Sequence, residues 1–178
     1  ANRDNGVYDT DETPVAGATV ELWQDSDNSG DFDPALDTKV NEMPTDADGN
    51  YSFLVSPGTV YFVAIPEGEA PLAGYVSSTG QSLDVTASGD NDDHGAPETG
   101  FVAVSGPVSV TNGTAPTGEQ DTNDSTTADN EANTVTGTTV ADDSSNLTVD
   151  FGFVLDTVFR LGNLVWLDWN DNGVAELG

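Results

Sequence analysis

Negative charge is the feature that most constrains how this chain can fold. Its 178 residues include 32 aspartates and glutamates but only 3 lysines and arginines, which gives a formal net charge of -29 at pH 7. Such a surplus opposes compaction because like charges repel, and divalent cations or high salt would relieve the repulsion. Phosphate groups bind to basic surfaces, so the composition excludes nucleic acid as a partner and an anionic membrane surface as a docking site.

The absence of certain residue types and motifs limits what can stabilise the fold and which functions the chain can have. The chain contains no cysteine, so neither a disulfide nor a thiolate zinc site can hold it together. Calcium takes oxygen ligands and is therefore the expected cofactor of an acidic chain. No stretch is apolar enough to span a bilayer, and signatures such as Gly-x-Ser-x-Gly or His-Glu-x-x-His are absent. We expect a secreted or cell-surface domain that is not an enzyme and has no membrane-inserted segment.

Short segments with strand-like patterns recur along the chain. They either alternate apolar and polar residues or are rich in β-branched and aromatic residues. They occupy residues 18–23, 50–55, 59–65, 82–86, 101–104, 108–110, 134–140, 147–155 and 158–167. No segment has the period of an amphipathic helix, and glycine and proline separate the segments as they do at turns. The pattern predicts an all-β sandwich with long acidic loops.

The sharpest motif is an acidic loop in which oxygen-bearing side chains recur at alternate positions. Alternation lets them converge on one cation, and Gly30 permits the turn that returns the later ligands. The expected calcium ligands are Asp25, Asp27, Ser29, Asp31, Asp33 and Asp37. Asp37 takes the place of the glutamate that closes an EF-hand loop. The alternative interpretation is a solvated turn, because the same residue types are common in turns without metal.

Two further loops, near the start and the end of the chain, share this pattern. Each places Asp or Asn side chains around a Gly-Val pair, and we expect both loops to bind calcium. Their expected ligands are Asn2, Asp4 and Asp9 at the start, and Asp168, Asn170, Asn172 and Glu176 at the end. The similarity indicates a tandem array in which the last segment opens the next repeat.

Two polar regions remain open to more than one interpretation. Residues 112–133 are rich in Thr, Asn, Asp and Gly, and form either a surface excursion or an insertion with possible glycosylation sites at Asn112 and Asn123. The cluster at residues 90–95 contains His94, the only histidine. It is either a weak cation site or a surface turn with an exposed imidazole, because calcium prefers oxygen.

Five short motifs, found together, resemble the B-type repeats of the serine–aspartate-repeat surface proteins, relatives of the collagen-adhesin B domains. They are PVAGATVEL at residues 14–22, TDADGNYSF at 45–53, PLAGY at 71–75, VDFGF at 149–153 and LGNLVWLDWNDNGVAE at 161–176. The resemblance implies an immunoglobulin-like or prealbumin-like β-sandwich, calcium in the inter-strand loops and a spacer role on a cell surface. Some relatives form a lysine–asparagine crosslink, but Lys39, the only lysine, lies beside an acidic loop rather than in an apolar strand.

The expected function is that of a calcium-stiffened structural repeat in an extracellular stalk or filament, with neighbouring copies joined head to tail. Residues 1–155 would form the sandwich, with 112–133 as an insertion. Residues 156–178 would be a linker plus the first strand and calcium loop of the next repeat, or a donor strand for the next subunit. The alternative is an adhesin module that binds a host or matrix protein, or a glycan, through its loops.

Overall fold

The computed structural model describes residues 4–9, 11–86, 92–113, 115–116, 132–133, 138–139 and 144–156. These residues form ten strands and no α-helix. The strands are β1 (Thr19–Gln24), β2 (Thr38–Pro44), β3 (Val60–Pro66), β4 (Tyr75–Ser77), β5 (Gly95–Glu98), β6 (Phe101–Ser105), β7 (Val108–Ser109), β8 (Ala132–Asn133), β9 (Thr138–Thr139) and β10 (Phe153–Leu155). The expectation of an all-β, immunoglobulin-like sandwich is confirmed. Nothing in the described residues forms a helix of the length and hydrophobicity that a bilayer crossing requires.

The larger layer is a six-stranded antiparallel sheet with the order β2-β1-β3-β6-β5, and β7 also pairs with β3. The β1–β2 ladder runs from Thr19 opposite Pro44 to Gln24 opposite Thr38, with an irregularity after Leu22. β2 and β5 are therefore the two edges of this sheet. A 13-residue loop, residues 25–37, joins β1 to β2 and carries the sharpest of the predicted calcium motifs.

In the described part of the chain, the smaller layer consists of one short ladder and two single bridges. β4 and β10 pair antiparallel, with Ser77 opposite Phe153. Val7 bridges to Asp92, and Asp93 bridges to Asp150, so the start of the chain is tied into this layer. β8 and β9 form a separate two-stranded ladder.

Side chains alternate across the large sheet as the strand period of two requires. Val20 and Leu22 of β1, with Val63 and Ile65 of β3, belong to the main core between the layers. Phe62, between Val63 and Tyr61 in the chain, instead belongs to a second cluster and is 1% exposed. Both faces of the sheet's centre are thus covered.

The structure confirms some of the predicted strands and contradicts others. Segments 18–23, 59–65, 101–104 and 108–110 are confirmed as β1, β3, β6 and β7, whereas only the end of 147–155 forms β10. The predictions of strands at 50–55 and 82–86 are wrong. Tyr51, Phe53 and Val55 still pack on the core from an extended segment that joins no ladder. Segment 158–167 lies outside the described residues, as does most of 134–140, and the division at residue 155 stays a prediction.

Candidate metal site

The pairing of β1 with β2 brings two acidic residues together at the base of the 25–37 loop. Gln24 and Thr38 are partners in the ladder, so Asp25 directly follows one strand and Asp37 directly precedes the other. Both are buried, with exposed fractions of 6% and 8%. Asp27 joins them from the loop, and one carboxylate oxygen from each of the three lies within 4.8 Å of the others. Two oxygens on one Ca²⁺ are at most about 4.6–5.2 Å apart, twice the metal–oxygen distance, so the spacing suits a shared ion.

Backbone N–H groups hold the two buried carboxylates in place. The Oδ1 of Asp25 accepts from Ser29 N–H at 3.1 Å and its Oδ2 accepts from Gly30 N–H at 3.0 Å. The Oδ1 of Asp37 accepts from Ser26 N–H at 3.0 Å and its Oδ2 accepts from Asp33 N–H at 2.8 Å. A carboxylate has about four lone-pair sites, so each of these groups retains sites for a cation. The geometry of the ligands is therefore set by the loop itself.

The sharp turn that allows these bonds requires left-handed backbone. Asn28 has φ of 57° and Gly30 has φ of 78°, and asparagine and glycine are the residues that tolerate this region best. The Oδ1 of Asp27 accepts from Ser29 N–H at 3.0 Å. The Ser29 hydroxyl, and then its N–H, hold the pKa of Asp27 below its ordinary value. The group consequently stays ionised at neutral pH.

Nothing cationic in the described part of the chain balances the charge of this cluster. Lys39 is the only lysine or arginine there, and its ammonium group pairs with Glu21 at 2.9 Å and Glu42 at 2.8 Å. Hydrogen bonds to Glu42 and then to Glu21 raise the pKa of Lys39, which keeps it protonated. Because two of the three carboxylates are buried, their mutual repulsion is weakly screened. A hard, oxygen-seeking cation fits this donor set, which contains neither nitrogen nor sulfur ligands.

An aromatic side chain fastens the loop to the outer face of the large sheet. Phe32 meets Trp23 edge-on at a centroid distance of 5.4 Å, Phe62 at 5.5 Å and Phe101 at 5.2 Å. Trp23 and Phe101 also meet edge-on, at 5.8 Å. Such pairs contribute about 0.5–1.5 kcal/mol each beyond the burial of their area. The conformation of the acidic loop is therefore coupled to sheet packing.

The other predicted ligands among the described residues lie either in the same loop as the cluster or near the start of the chain. Ser29 donates its hydroxyl to the Asp31 carbonyl at 2.9 Å, and the Asp33 carboxylate accepts from Ala35 N–H at 2.8 Å. These are local loop contacts, and a ligand role for Asp31 and Asp33 stays a prediction. Asp4 accepts a hydrogen bond from Thr79 N–H, and Asp9 N–H donates to Glu12 at 3.0 Å. Neither joins the cluster.

Of the remaining predicted sites, one lies within the described residues and the others lie outside them. Asn112 is exposed and accepts a hydrogen bond from the Ser144 hydroxyl at 2.7 Å. Outside the described residues lie Asn2, Asp168, Asn170, Asn172, Glu176 and Asn123. The calcium and glycosylation assignments for these positions stay predictions.

The interpretation of His94 as an exposed imidazole in a surface turn is wrong. His94 is 0% exposed, its Nε2 lies 3.2 Å from the Asp84 carbonyl, and Asp150 N–H points at its Nδ1 from 3.4 Å. The neighbouring Asp93 is 2% exposed and accepts hydrogen bonds from the Ser78 hydroxyl at 2.7 Å and Gly95 N–H at 2.9 Å. Burial raises the pKa of Asp93, while these hydrogen bonds oppose the rise. Residues that look like a polar turn thus form a buried part of the smaller layer, because both side chains find partners there.

Known proteins are similar to this sequence over almost its full length. The chain is 28% identical over 169 residues, 95% of its length, to the serine-aspartate repeat-containing protein D of Staphylococcus aureus strain MW2. The same figures hold for the protein of that name from strain Newman. The resemblance to serine–aspartate-repeat proteins is confirmed. The chain spans only 8% to 9% of the length of these relatives. No protein-family model and no solved structure matches the chain.

The relatives indicate where such proteins are located in the cell and what type of role they have. Serine–aspartate-repeat proteins are cell-surface proteins, in agreement with the secreted or cell-surface location expected from the sequence. The similarity supports a cell-surface repeat role and points to a non-enzymatic one.

Proposed function

We propose that this chain is a calcium-stiffened structural repeat of an extracellular stalk or filament, whose copies join head to tail. The observation that carries the proposal is the pair of buried carboxylates, Asp25 and Asp37, gathered with Asp27 at the base of one loop. Burying ionised groups without opposite charge is expensive, so folding favours a bound cation. The full set of loop ligands, Asp31 and Asp33 included, is part of the proposal.

Calcium would act here as a tie between two neighbouring strands. Asp25 directly follows β1 and Asp37 directly precedes β2, so an ion held by both would close the loop at its base. Phe32 then transmits the order of the loop to the sheet. A repeat held in this manner resists local opening, which is what a spacer needs in order to keep its length.

Head-to-tail joining is supported by the internal similarity of the loops around Gly6-Val7 and Gly173-Val174. The extracellular setting follows the serine–aspartate-repeat relatives. Adhesion to a host or matrix ligand is the competing function. The aromatic side chains of Trp23, Phe32 and Phe101 contact one another and are half-buried, which leaves less of their surface for an adhesive patch. We therefore rank the structural role first.

The deciding experiment is thermal unfolding of the chain with calcium titrated in, compared with EDTA, with magnesium and with sodium chloride of equal ionic strength. A ligand that binds only the folded state stabilises it by about 2.7 kcal/mol when its concentration is a hundred times Kd. We expect a large, saturable rise in the unfolding midpoint with calcium alone.

Two results would refute the metal site. Equal effects of calcium, magnesium and sodium at matched ionic strength would indicate charge screening, which any salt supplies. Absence of a response to calcium at millimolar concentration would leave an acidic sandwich without a metal tie. An adhesive function would instead require saturable binding of a host or matrix molecule to the isolated chain.

A further inference from the structure

Three asparagines in the chain are followed directly by glycine, a pair in which the backbone can react with the asparagine side chain. The pairs are Asn5-Gly6, Asn112-Gly113 and Asn172-Gly173. Glycine has no Cβ, so its nitrogen can approach the side-chain amide carbon of the preceding asparagine without steric hindrance. The first two pairs belong to the described residues, and their surroundings differ. The third pair lies outside the described residues.

Asn112 and Gly113 lie on the surface, where the chain turns after β7. Both residues are exposed, and Gly113 has φ of 77°. The Ser144 hydroxyl donates a hydrogen bond to the Oδ1 of Asn112 at 2.7 Å. A donor at an amide oxygen stabilises the negative charge that develops on this oxygen when a nucleophile attacks the amide carbon. The side-chain amide of Asn112 is therefore both accessible and polarised.

Asn5 is also followed by glycine, but its backbone is more restrained. Gly6 is buried, and a Cβ built on it would lie 2.6 Å from the Thr79 carbonyl oxygen. The Gly6 carbonyl accepts from Asp93 N–H at 2.7 Å, and the Oδ1 of Asn5 accepts from Val7 N–H at 3.3 Å. Attack by the Gly6 nitrogen requires rotation about the bonds that join the two residues, because the reacting atoms must be brought together in line. These contacts oppose that rotation.

We propose that Asn112 is a site of spontaneous deamidation, assisted by the Ser144 hydroxyl. The backbone nitrogen of Gly113 forms a bond to the Cγ of Asn112, which closes a cyclic imide (succinimide). The bond from Cγ to Nδ2 breaks, and the proton of the Gly113 nitrogen leaves with Nδ2 as ammonia. Water then opens the ring at either carbonyl and gives aspartate or isoaspartate at this position. In sum, an amide and a water molecule become a carboxylate and an ammonium ion.

The reaction would change both the charge and the backbone of the chain. Each conversion adds a negative charge to a net charge of -29, and isoaspartate lengthens the main chain by a methylene group. The residues just before the site are held to the large sheet, since the Val110 carbonyl accepts from Gly58 N–H at 2.8 Å and Ser109 pairs with Val60. Deamidation also removes Nδ2, the atom that would carry a glycan. Glycosylation and deamidation of Asn112 therefore exclude each other.

Mass spectrometry of the whole chain, produced without glycosylation, tests the proposal. The natural chain and the variants Ser144→Ala, Ser144→Thr and Ser145→Ala are incubated in neutral buffer for several weeks and then digested at acidic pH. Conversion of Asn112 and Asn5 is measured from the masses and retention times of their peptides, and isoaspartate is identified by enzymatic methylation. Ser144→Thr keeps the hydroxyl, whereas the matched control Ser145→Ala removes the hydroxyl of the next residue. Circular dichroism verifies that each variant is folded.

We expect Asn112 to convert faster than Asn5 in the natural chain. Ser144→Ala should lower the rate at Asn112 by about two- to tenfold, the contribution of one hydrogen bond of ordinary strength. Ser144→Thr and Ser145→Ala should keep the natural rate. An intact Asn112 after incubation, or equal conversion of Asn112 and Asn5, would overturn the proposal. A rate at Asn112 that is unchanged or raised by Ser144→Ala would overturn it as well, because the hydroxyl would then give no assistance.

Discussion

Replacement of Asp37 by asparagine is predicted to change stability in opposite directions with and without calcium. The carboxylates of Asp25 and Asp37 have oxygens within 4.8 Å of each other, and at an effective dielectric constant of about 20 their repulsion is about 3.5 kcal/mol. Asparagine removes that repulsion but also one of the two acceptors for Ser26 and Asp33 N–H. An unsatisfied buried donor costs about 1–3 kcal/mol. In EDTA the variant should therefore be more stable than the natural chain by about 0.5–2.5 kcal/mol.

In saturating calcium the order should reverse. The natural chain gains about 2.7 kcal/mol at a calcium concentration of a hundred times Kd, and the variant forfeits most of that gain with its ligand. For a domain of this size the lost gain corresponds to roughly 5–11 °C in the unfolding midpoint. The assay is thermal unfolding followed by tryptophan fluorescence, with EDTA and calcium samples measured in parallel.

Asp46→Asn is the matched control for this reversal. Asp46 accepts backbone N–H bonds from Asp48 and Asn50, both at 2.9 Å, and it is not part of the acidic cluster. Its replacement should alter stability by the same amount in both solutions. If Asp37→Asn behaves like the control, with equal destabilisation in EDTA and calcium, then Asp37 only caps the loop and the reasoning from charge is refuted.

Three further predictions concern packing and pH. Phe32→Ala should lower the free energy of unfolding by about 2 kcal/mol in urea, somewhat below the 3–5 kcal/mol of a fully buried phenylalanine, and an unchanged urea midpoint would contradict the coupling of loop to sheet. Gly6→Ala should cost more than Gly17→Ala, because both have φ above 70° but only at Gly6 would a Cβ meet the Thr79 carbonyl, at 2.6 Å; equal urea midpoints would refute the steric argument. The folded-state pKa of Asp93 is raised by burial, so its stabilising contribution is present below the unfolded pKa, near 3.9, and is lost as pH rises through the folded value. The stability of the natural chain relative to Asp93→Asn should accordingly fall as pH is raised from about 4, and a constant difference would show that Asp93 titrates normally.

The fold class was predictable because the apolar pattern is strongest where strands are buried on both faces. β3 has five consecutive buried residues, and its sequence, VYFVAIP, shows this directly. β2 was missed because it is an edge strand with all its residues exposed or half-buried, so no hydrophobic signal marks it. At Tyr51 and Phe53 the error is the opposite one, because the sequence predicts a strand where none forms. Alternation correctly indicates which side chains reach the core, but it carries no information on whether a backbone finds a pairing partner.

The acidic loop was predictable as a cluster because alternating oxygen ligands and a left-handed glycine are local features. Asp37 reaches Asp25 and Asp27 because β1 pairs with β2. Its position in the loop nevertheless predicts it as the closing ligand. The buried state of His94 and Asp93 could not be predicted, since it depends on Ser77, Ser78 and Asp150, which are distant in the chain. Polar residues next to glycine usually indicate a turn, and only tertiary partners reverse that expectation.

The two edges of the large sheet carry residues that disfavour pairing with a neighbouring molecule. β2 presents charged side chains at Lys39 and Glu42 and ends at Pro44, and β5 carries Pro97, which has no N–H to offer a neighbouring strand. Charged residues and prolines at sheet edges prevent strands of adjacent molecules from pairing. Molecules packed side by side on a cell surface would therefore not pair through the edges of their large sheets, and dense display would not lead to aggregation by that route.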